Sequence, residues 1–111
     1  MNRPIRRGEI WWVSLDPAHG SEIGKTRPCV VVSADEINRW RRTPVVVPLS
    51  ASPEAAPPVV VSVASAGRDS VAVVDQIRAV DKGRFVRTSG SLSPQDLALV
   101  ESALSTLLAL P

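Results

Sequence analysis

The sequence contains few of the side chains on which many enzymes depend. Its 111 residues include one histidine, one cysteine and no tyrosine. A single thiol forms no internal disulfide, and a chain without disulfides is what a reducing cytosol predicts. One histidine and one cysteine are too few for a His/Cys zinc site, and they exclude a nuclease with a histidine pair. We expect Cys29, which lies among apolar residues, to be a buried packing residue, and His19 to be an exposed loop residue.

Long apolar runs and several common motifs are also missing. No apolar run approaches the ~20 residues that cross a bilayer, so no membrane association is predicted. The basic N-terminal residues precede no apolar stretch, so we expect no signal peptide. The sequence has no P-loop, dinucleotide-binding or nucleophile-elbow motif. Its carboxylates are scattered, unlike those of a two-metal nuclease. Neither a metal nor an organic cofactor is expected.

The composition and length of the sequence are those of one small basic domain. The chain is 44% hydrophobic and 22% charged, which is typical of a soluble globular protein, and its length predicts a single domain over residues 1–111. The formal net charge is only +2, but arginines cluster. Arg39, Arg41 and Arg42 flank Trp40, a pattern found on nucleic-acid-binding surfaces and also on ordinary solvated faces.

Short Val-rich segments and one terminal periodic segment predict a mainly β (α+β) fold. Strands are predicted at residues 8–15, 27–33, 44–50, 59–63, at the start of 70–80 and at 85–88. Residues 16–26 are predicted to form a loop, residues 34–40 a short helix or an irregular crossing, and residues 51–58 a break. Ser93 and Pro94 begin a helix whose apolar face is Leu97, Val100, Leu104, Leu107 and Leu108. We expect a small antiparallel barrel with a C-terminal α-helix.

Polar residues at the ends of these strands form the candidate site. Arg27 opens one Val-rich strand, Ser50 closes another, and Asp75 and Gln76 close a third, while Glu22 lies in the preceding loop. Strand ends from distant parts of the chain meet at one rim of a small barrel, where an arginine, a hydroxyl and a carboxylate suit phosphate chemistry. Two structural interpretations remain open: an Arg27–Glu22 salt bridge, and a Ser50 that satisfies a backbone group.

RNA cleavage needs little from the protein, because the 2′-hydroxyl beside the scissile phosphate is the nucleophile. The protein must align this oxygen, neutralise charge on the phosphoryl oxygens and manage two protons. A guanidinium offers a bidentate fork to phosphate, a serine hydroxyl donates to a phosphate oxygen, and a glutamate can accept the 2′-proton.

Four segments of the sequence resemble the MazF/PemK family of toxin endoribonucleases from type II toxin–antitoxin systems. They are residues 7–13 (RGEIWWV), 20–33 (GSEIGKTRPCVVVS), 47–50 (VPLS) and 75–82 (DQIRAVDK). The second is long enough to be specific, and the similarity extends from about Arg7 to the C-terminus. The resemblance implies an SH3-like barrel, a cytoplasmic homodimer, and growth arrest through cleavage of single-stranded messenger RNA at short sequences. It also implies products with a 2′,3′-cyclic phosphate and a 5′-hydroxyl, no metal, and a cognate antitoxin that presents an acidic tail.

The resemblance also assigns roles by position. Arg27 is implied as the main catalytic residue, Ser50 as the catalytic hydroxyl, and Glu22 as a further catalytic residue in the substrate-gating loop. The implied substrate-binding residues are Ser21, Gly24, Lys25, Thr26, Asp75, Gln76 and Arg78. Two positions depart from the family pattern. Ser50 lacks the methyl group of the usual threonine, and Ile23 replaces a common glutamine, which could alter base preference.

Two other functions fit the same fold. A DNA-gyrase-inhibiting toxin has this barrel, needs no arginine–hydroxyl pair and acts through its terminal helix. A plain nucleic-acid-binding barrel would bind RNA in a salt-dependent way without cutting it. The pairing of Arg27 with Ser50 favours the nuclease.

Overall fold

The computed structural model describes residues 3–51 and 55–111, which form seven strands and two α-helices. The strands are β1 (Glu9–Ser14), β2 (Thr26–Val31), β3 (Val45–Ser50), β4 (Val60–Ser62), β5 (Val71–Val73), β6 (Arg78–Ala79) and β7 (Phe85–Ser91). The helices are α1 (Asp35–Trp40) and α2 (Pro94–Leu107). No helix in the described part of the chain is long and apolar enough to cross a membrane.

All the strands join one antiparallel sheet, and the predicted mainly β (α+β) fold with a C-terminal helix is confirmed. The order of hydrogen-bonded neighbours is β4-β5-β3-β2-β1-β7, and β6 pairs with β3 off this path. Strand β3 is therefore central, since it pairs with β2 along one edge and with β5 and β6 along the other.

Alternation of side chains along the strands builds two cores, one on each face of the sheet. The helix-side core includes Ile10, Val30, Val47, Leu49 and, from α2, Val100. The loop-side core lies on the other face. Its members are Ile5, Trp11, Val13, Leu15, Cys29, Val31, Val46, Val80 and Phe85, with Ile23 packed against it. Cys29 is completely buried, as predicted.

Helix α2 begins where the sequence predicts. The Ser93 side chain accepts the Asp96 N–H at 3.1 Å, and Pro94 occupies the first helical position. The predicted apolar face packs on the helix-side core through Leu97, Val100, Leu104 and Leu107. Leu108 does not follow this pattern and is 53% exposed, because the helix ends at Leu107.

Three other segments differ from the sequence-based prediction or extend it. Residues 70–80 do not continue as one strand, because a 3₁₀ turn at Val74–Gln76 separates β5 from β6. Strand β7 is longer than the predicted segment and ends at Ser91. Residues 34–40, which the sequence left between a helix and an irregular crossing, contain α1. Part of the predicted break, residues 52–54, lies outside the described residues.

Candidate active site

The register between β2 and β3 places Arg27 and Ser50 at the same end of the sheet. The paired register runs from Val31 opposite Val46 to Cys29 opposite Pro48. Continuing it by two residues along each strand, beyond the last pair, places Arg27 and Ser50 at equivalent positions, where Ser50 itself pairs with Val71 of β5. Residues two apart on a strand share a face, and Cys29 belongs to the loop-side core. Arg27, which is exposed, and Ser50, which is half-buried, therefore lie on the rim of that core.

The loop from residue 15 to residue 25 closes onto its own base beside this rim. The Leu15 N–H donates to the Lys25 carbonyl at 2.8 Å, and the Lys25 N–H donates to Asp16 Oδ1 at 2.7 Å. Lys25 adopts a left-handed φ of 65°, which is unfavourable for a residue with a Cβ atom. The two hydrogen bonds offset this cost, and they fix the chain just before it enters β2.

Gly24 fits this loop because it has no side chain. A Cβ atom there would lie 2.6 Å from Asp16 Oδ1 and 2.8 Å from the Cβ of Ala18, closer than such atoms approach. The Gly24 carbonyl accepts the Arg27 Nε–H at 3.3 Å. This hydrogen bond uses one edge of the guanidinium and couples the orientation of Arg27 to the loop.

Gln76 ties the loop to the opposite wall of the site. It ends the 3₁₀ turn between β5 and β6, and its Oε1 accepts the Ile23 N–H at 3.2 Å. The Ile23 side chain packs against the loop-side core. Residues that are distant in the sequence therefore fix the middle of the loop from two sides, one polar and one apolar.

Glu22 and Ser21 lie at the exposed tip of the loop. Glu22 Oε1 accepts the His19 N–H at 2.8 Å, and the Glu22 N–H donates to the His19 carbonyl at 3.2 Å. Within residues 3–51 and 55–111, no ion pair joins Glu22 to Arg27, so the salt bridge that the sequence left open does not form there. Glu22 holds the loop tip through Oε1, and the remaining lone pairs of its carboxylate are still able to accept a proton.

The remaining predicted site residues are divided between the loop, its base and the surface. Lys25 and Thr26 are exposed where the loop enters β2, and Asp75 is exposed beside Gln76. Arg78 is half-buried, and its Nη1–H donates to the Leu15 carbonyl at 3.4 Å. The structure thus brings Arg78 and Gln76 to the loop, whereas it records no contact of this kind for Asp75.

Two residues that sequence reasoning missed hold the base of the loop. Asp16 binds the Lys25 amide, as described above. Arg84 Nη1 donates to the Ser14 carbonyl at 3.2 Å and also to the Asp16 carbonyl. An aspartate before a proline is a turn signal that could have indicated Asp16. No local pattern indicates Arg84, because its partners lie about seventy residues away in the chain.

The thiol beneath the rim is unreactive. Burial raises the pKa of Cys29 to about 12, and the positive charge of Arg78 acts in the opposite direction to a smaller extent. A thiol with this pKa carries almost no thiolate near neutral pH, and the thiolate is the nucleophilic form. The groups at this site that can bind an anion or exchange a proton are therefore the arginine, hydroxyl and carboxylate side chains of the rim.

Comparison with known proteins identifies a family. A family model described as a PemK-like, MazF-like toxin of type II toxin–antitoxin systems matches residues 6–108. The endoribonuclease MazF9 of Mycobacterium tuberculosis is 39% identical over 109 residues, which are 90% of this chain and 92% of that protein. The endoribonuclease EndoA of Bacillus subtilis is 33% identical over 111 residues, with 96% of each chain covered.

Solved structures show the same fold at lower sequence identity. The crystal structure of MazF from Deinococcus radiodurans superposes with a TM-score of 0.84 at 24% identity, covering 97% of this chain and 99% of that chain. An endoribonuclease from a mycobacterial species, solved in complex with its cognate antitoxin, has a TM-score of 0.78 at 22% identity and 96% coverage of both chains. The SH3-like architecture expected from the sequence is thus the one that these toxins share.

Proposed function

Since the chain belongs to the PemK-like, MazF-like family of toxins of type II toxin–antitoxin systems, we propose that it is a sequence-specific endoribonuclease that cuts single-stranded messenger RNA in the cytoplasm without a metal. The observation that carries this proposal is the register of β2 and β3, which brings Arg27 and Ser50 to the same end of the sheet, where Arg27 is hydrogen-bonded to the 15–25 loop. The whole chain, residues 1–111, is one toxin domain in this proposal, and cleavage of messenger RNA arrests growth.

The proposed reaction is an internal transfer at phosphorus. The 2′-oxygen attacks the adjacent phosphorus, the bond to the 5′-oxygen of the next nucleotide breaks, and a 2′,3′-cyclic phosphate and a 5′-hydroxyl result. The 2′-hydroxyl loses a proton and the departing 5′-oxygen gains one. Negative charge spreads over the phosphoryl oxygens as the new bond forms, so prearranged donors accelerate this step.

Arg27 and Ser50 supply those donors in our proposal. The guanidinium of Arg27 is exposed, and only its Nε–H donates to Gly24, so its outer nitrogens face the substrate in a forked geometry that matches phosphate. The Ser50 hydroxyl donates to a phosphoryl oxygen. Glu22 accepts the 2′-proton, a role for which arginine is unsuited because it stays protonated at neutral pH. Ser21, Gly24, Lys25, Thr26, Asp75, Gln76 and Arg78 contact or position the flanking nucleotides.

Two protein partners belong to the proposal. The first is a cognate antitoxin with an acidic segment, for which the exposed basic side chains offer complementary charge.

The second proposed partner is another copy of the chain. Strand β7 ends the described sheet path and exposes most of its residues, including Val86 at 54%, and open strand edges are ready to pair. Analytical ultracentrifugation of the purified protein should show a dimer, and a monomer throughout the concentration range would remove this part of the proposal.

The decisive experiment combines a chemical and a genetic test. Purified protein is incubated in EDTA with single-stranded RNA oligonucleotides that cover many short sequences, and mass spectrometry identifies the ends. We expect fragments with cyclic phosphate ends, and none from a substrate with a 2′-deoxy nucleotide at the cut. Arg27→Ala should slow cleavage by at least about 100-fold. Arg68→Ala, an exposed arginine in the β4–β5 connection, is the matched control and should cut normally.

A different result would favour the gyrase-inhibiting alternative. Leu108 and Leu110 are 53% and 56% exposed beyond the end of α2, so the terminal segment offers an apolar contact to a protein target. RNA that stays intact across the whole panel, together with inhibition of DNA supercoiling that Leu108→Ser relieves, would replace the nuclease with this function.

A further inference from the structure

A strongly basic cleft lies away from the 15–25 loop. Its volume is about 690 Å³, and its lining includes five cationic side chains and one carboxylate, Asp35. The five cations are Arg3, Arg6, Arg39, Arg42 and Lys82. Ile5 and Phe85, both members of the loop-side core, form part of the wall. The cleft therefore opens on the same face of the sheet as Arg27.

The cleft lies toward the opposite end of β2 and β3 from the candidate active site. Helix α1, which carries Asp35 and Arg39, follows the end of β2, and Arg42 precedes β3. Lys82 is held there because its N–H donates to the Arg42 carbonyl at 2.8 Å. Strand β2 alone spans about 16 Å, so these cations are separate from the Arg27 rim.

Most of this positive charge is not neutralised by the protein. Within residues 3–51 and 55–111, no carboxylate forms an ion pair with the side chains of Arg6, Arg39 or Lys82. Arg42 pairs with Asp81 at 3.3 Å, but both side chains are more than half exposed, and such pairs contribute little. Arg3 pairs with Glu9 at 3.4 Å, and the Arg3 side chain is 54% exposed. A multiply charged anion would gain contacts with the three cations that form no ion pair, and it would compete with these two pairs.

An exposed aromatic residue ends α1, the helix from which Asp35, Asn38 and Arg39 line the cleft. Trp40 is 74% exposed, and Arg39, Arg41 and Arg42 surround it in the sequence. The helix that carries it is held firmly. The buried Asn38 donates from its side chain to the Ser33 carbonyl at 3.0 Å, and the Val45 N–H donates to Ser33 Oγ at 2.9 Å. The backbone of α1 is therefore held in place, and it presents an exposed, flat indole within an arginine-rich segment.

We propose that this cleft and Trp40 form a second RNA-binding site, which holds a single-stranded segment of the substrate beyond the nucleotides at the scissile phosphate. Guanidinium groups around a groove contact phosphates, and an exposed indole stacks on a base, which is the combination that single-stranded RNA requires. An acidic peptide satisfies the cations but leaves the flat face of Trp40 without a matching planar group. This inference rests on the proposed function, because it names where the remainder of the same RNA lies.

The first arm of the test measures cleavage as a function of RNA length. Two substrates share one cut site and have lengths of about 6 and about 30 nucleotides, the longer one exceeding the site size of a typical single-strand-binding domain. We expect kcat/KM of the protein to be higher for the longer RNA. The double variant Arg39→Gln, Lys82→Gln and the variant Trp40→Ala should lower it roughly 5-fold or more on the long RNA alone. Arg68→Gln is the matched control.

The second arm measures binding to 2′-O-methyl RNA, which lacks the nucleophilic hydroxyl and stays intact. The slope of log K against log salt should fall by about 0.7 for each phosphate that the double variant no longer neutralises. Trp40→Ala should weaken binding without changing this slope, and Trp40→Phe should recover most of the affinity. Stacking would also quench the fluorescence of Trp40, whereas Trp11 is buried.

The outcomes separate this inference from the function on which it rests. If the protein cuts neither RNA, the proposed nuclease fails. If it cuts both, and the cleft variants behave like Arg68→Gln, the nuclease stands and the second site is wrong. The inference is also overturned if the variants lose binding to a poly-glutamate peptide while keeping affinity for RNA, or if they change the oligomeric state.

Discussion

The two ends of the β2–β3 pair are both basic, but they are built differently. At the end that carries Arg27, the loop is held by single hydrogen bonds between exposed or half-buried groups, such as Asp16 to Lys25 and Gln76 to Ile23. At the other end, several linked hydrogen bonds around the buried Asn38 side chain join Ser33 to the start of β3. Asn38 is only 2% exposed and is the one buried polar residue in the described part of the chain.

This difference indicates that the Arg27 end serves mainly cleavage and that the α1 end serves mainly stability. Exposed hydrogen bonds contribute little to stability and exchange readily with water or substrate, whereas a buried polar group is costly to leave unsatisfied. Substitutions at the loop end should therefore change cleavage more than stability, and substitutions at the α1 end should do the reverse. Measurement of both cleavage and stability for each variant tests this difference between the two ends.

The largest effect is expected at the Ser50 hydroxyl, at the same end of the sheet as Arg27. Ser50→Ala removes a donor to the phosphoryl oxygen, so cleavage of a short RNA should slow by about 100-fold. Ser62→Ala is a close control, because Ser62 of β4 and Ser50 of β3 both lie opposite Val71. Single-turnover rates and urea denaturation provide the two readouts. Equal rates for the two variants would remove Ser50 from the reaction.

A steric change in the loop should have the next largest effect. In Gly24→Ala, the new Cβ must displace Asp16 or Ala18, which breaks the hydrogen bond to the Lys25 amide and shifts the carbonyl that orients Arg27. Small misplacements of catalytic groups are costly, so kcat should fall by about 10- to 100-fold. At Gly20, which unlike Gly24 has a positive φ of 61°, a Cβ meets no atom within 4 Å. Gly20→Ala should therefore retain more activity, and an equal loss at both positions would argue against the steric mechanism.

The sequence predicted contacts between residues that are close along the chain, and it did not predict contacts between residues that are far apart along it. The Val-rich strands and the Ser93 cap were predictable because neighbouring residues determine them. The Gln76–Ile23 contact joins residues 53 positions apart, and no local pattern encodes it. Propensity alone also did not predict the 3₁₀ turn at Val74–Gln76, because its first residues continue the apolar run of β5. The site residues were therefore predicted by motif, and their supports were not.

At the α1 end, the expected effect is on stability. Asn38→Ala leaves the Ser33 carbonyl and hydroxyl without their buried partner and should lower the free energy of unfolding by about 1–3 kcal/mol. Urea denaturation measures this change, with Glu36→Ala on the exposed side of the same helix as the control. Cleavage of a short RNA should remain close to normal. A loss of cleavage comparable to that of Ser50→Ala would show that the two ends are not independent.

A smaller effect is expected where Gln76 holds the loop. Gln76→Leu removes the acceptor of the Ile23 amide, which is worth about as much as one ordinary hydrogen bond, so kcat/KM should fall roughly 2- to 10-fold. Gln76→Glu keeps an acceptor oxygen and should retain the rate of the unchanged protein. Gln95→Leu, at an exposed position of α2, controls for the change of side chain. If Glu and Leu act alike, then Gln76 contacts the RNA directly instead of positioning the loop.

The smallest effect is expected at Cys29, two residues inward from Arg27 on the same strand face. Since burial raises the pKa of this thiol from 9.0 to about 12, a thiol reagent at pH 8 should modify the folded protein far more slowly than the unfolded protein.

The same shift makes stability depend on pH. The unfolded chain releases the Cys29 proton near pH 9, whereas the folded chain retains it until about pH 12. Stability from Cys29 is therefore complete below pH 9 and lost as the pH rises toward 12. Cys29→Ala should flatten that decline, which is easier to detect because the sequence has no tyrosine that titrates there. Rapid modification at pH 8, accompanied by loss of cleavage, would instead show that the Cys29 thiol is accessible and is needed for cleavage.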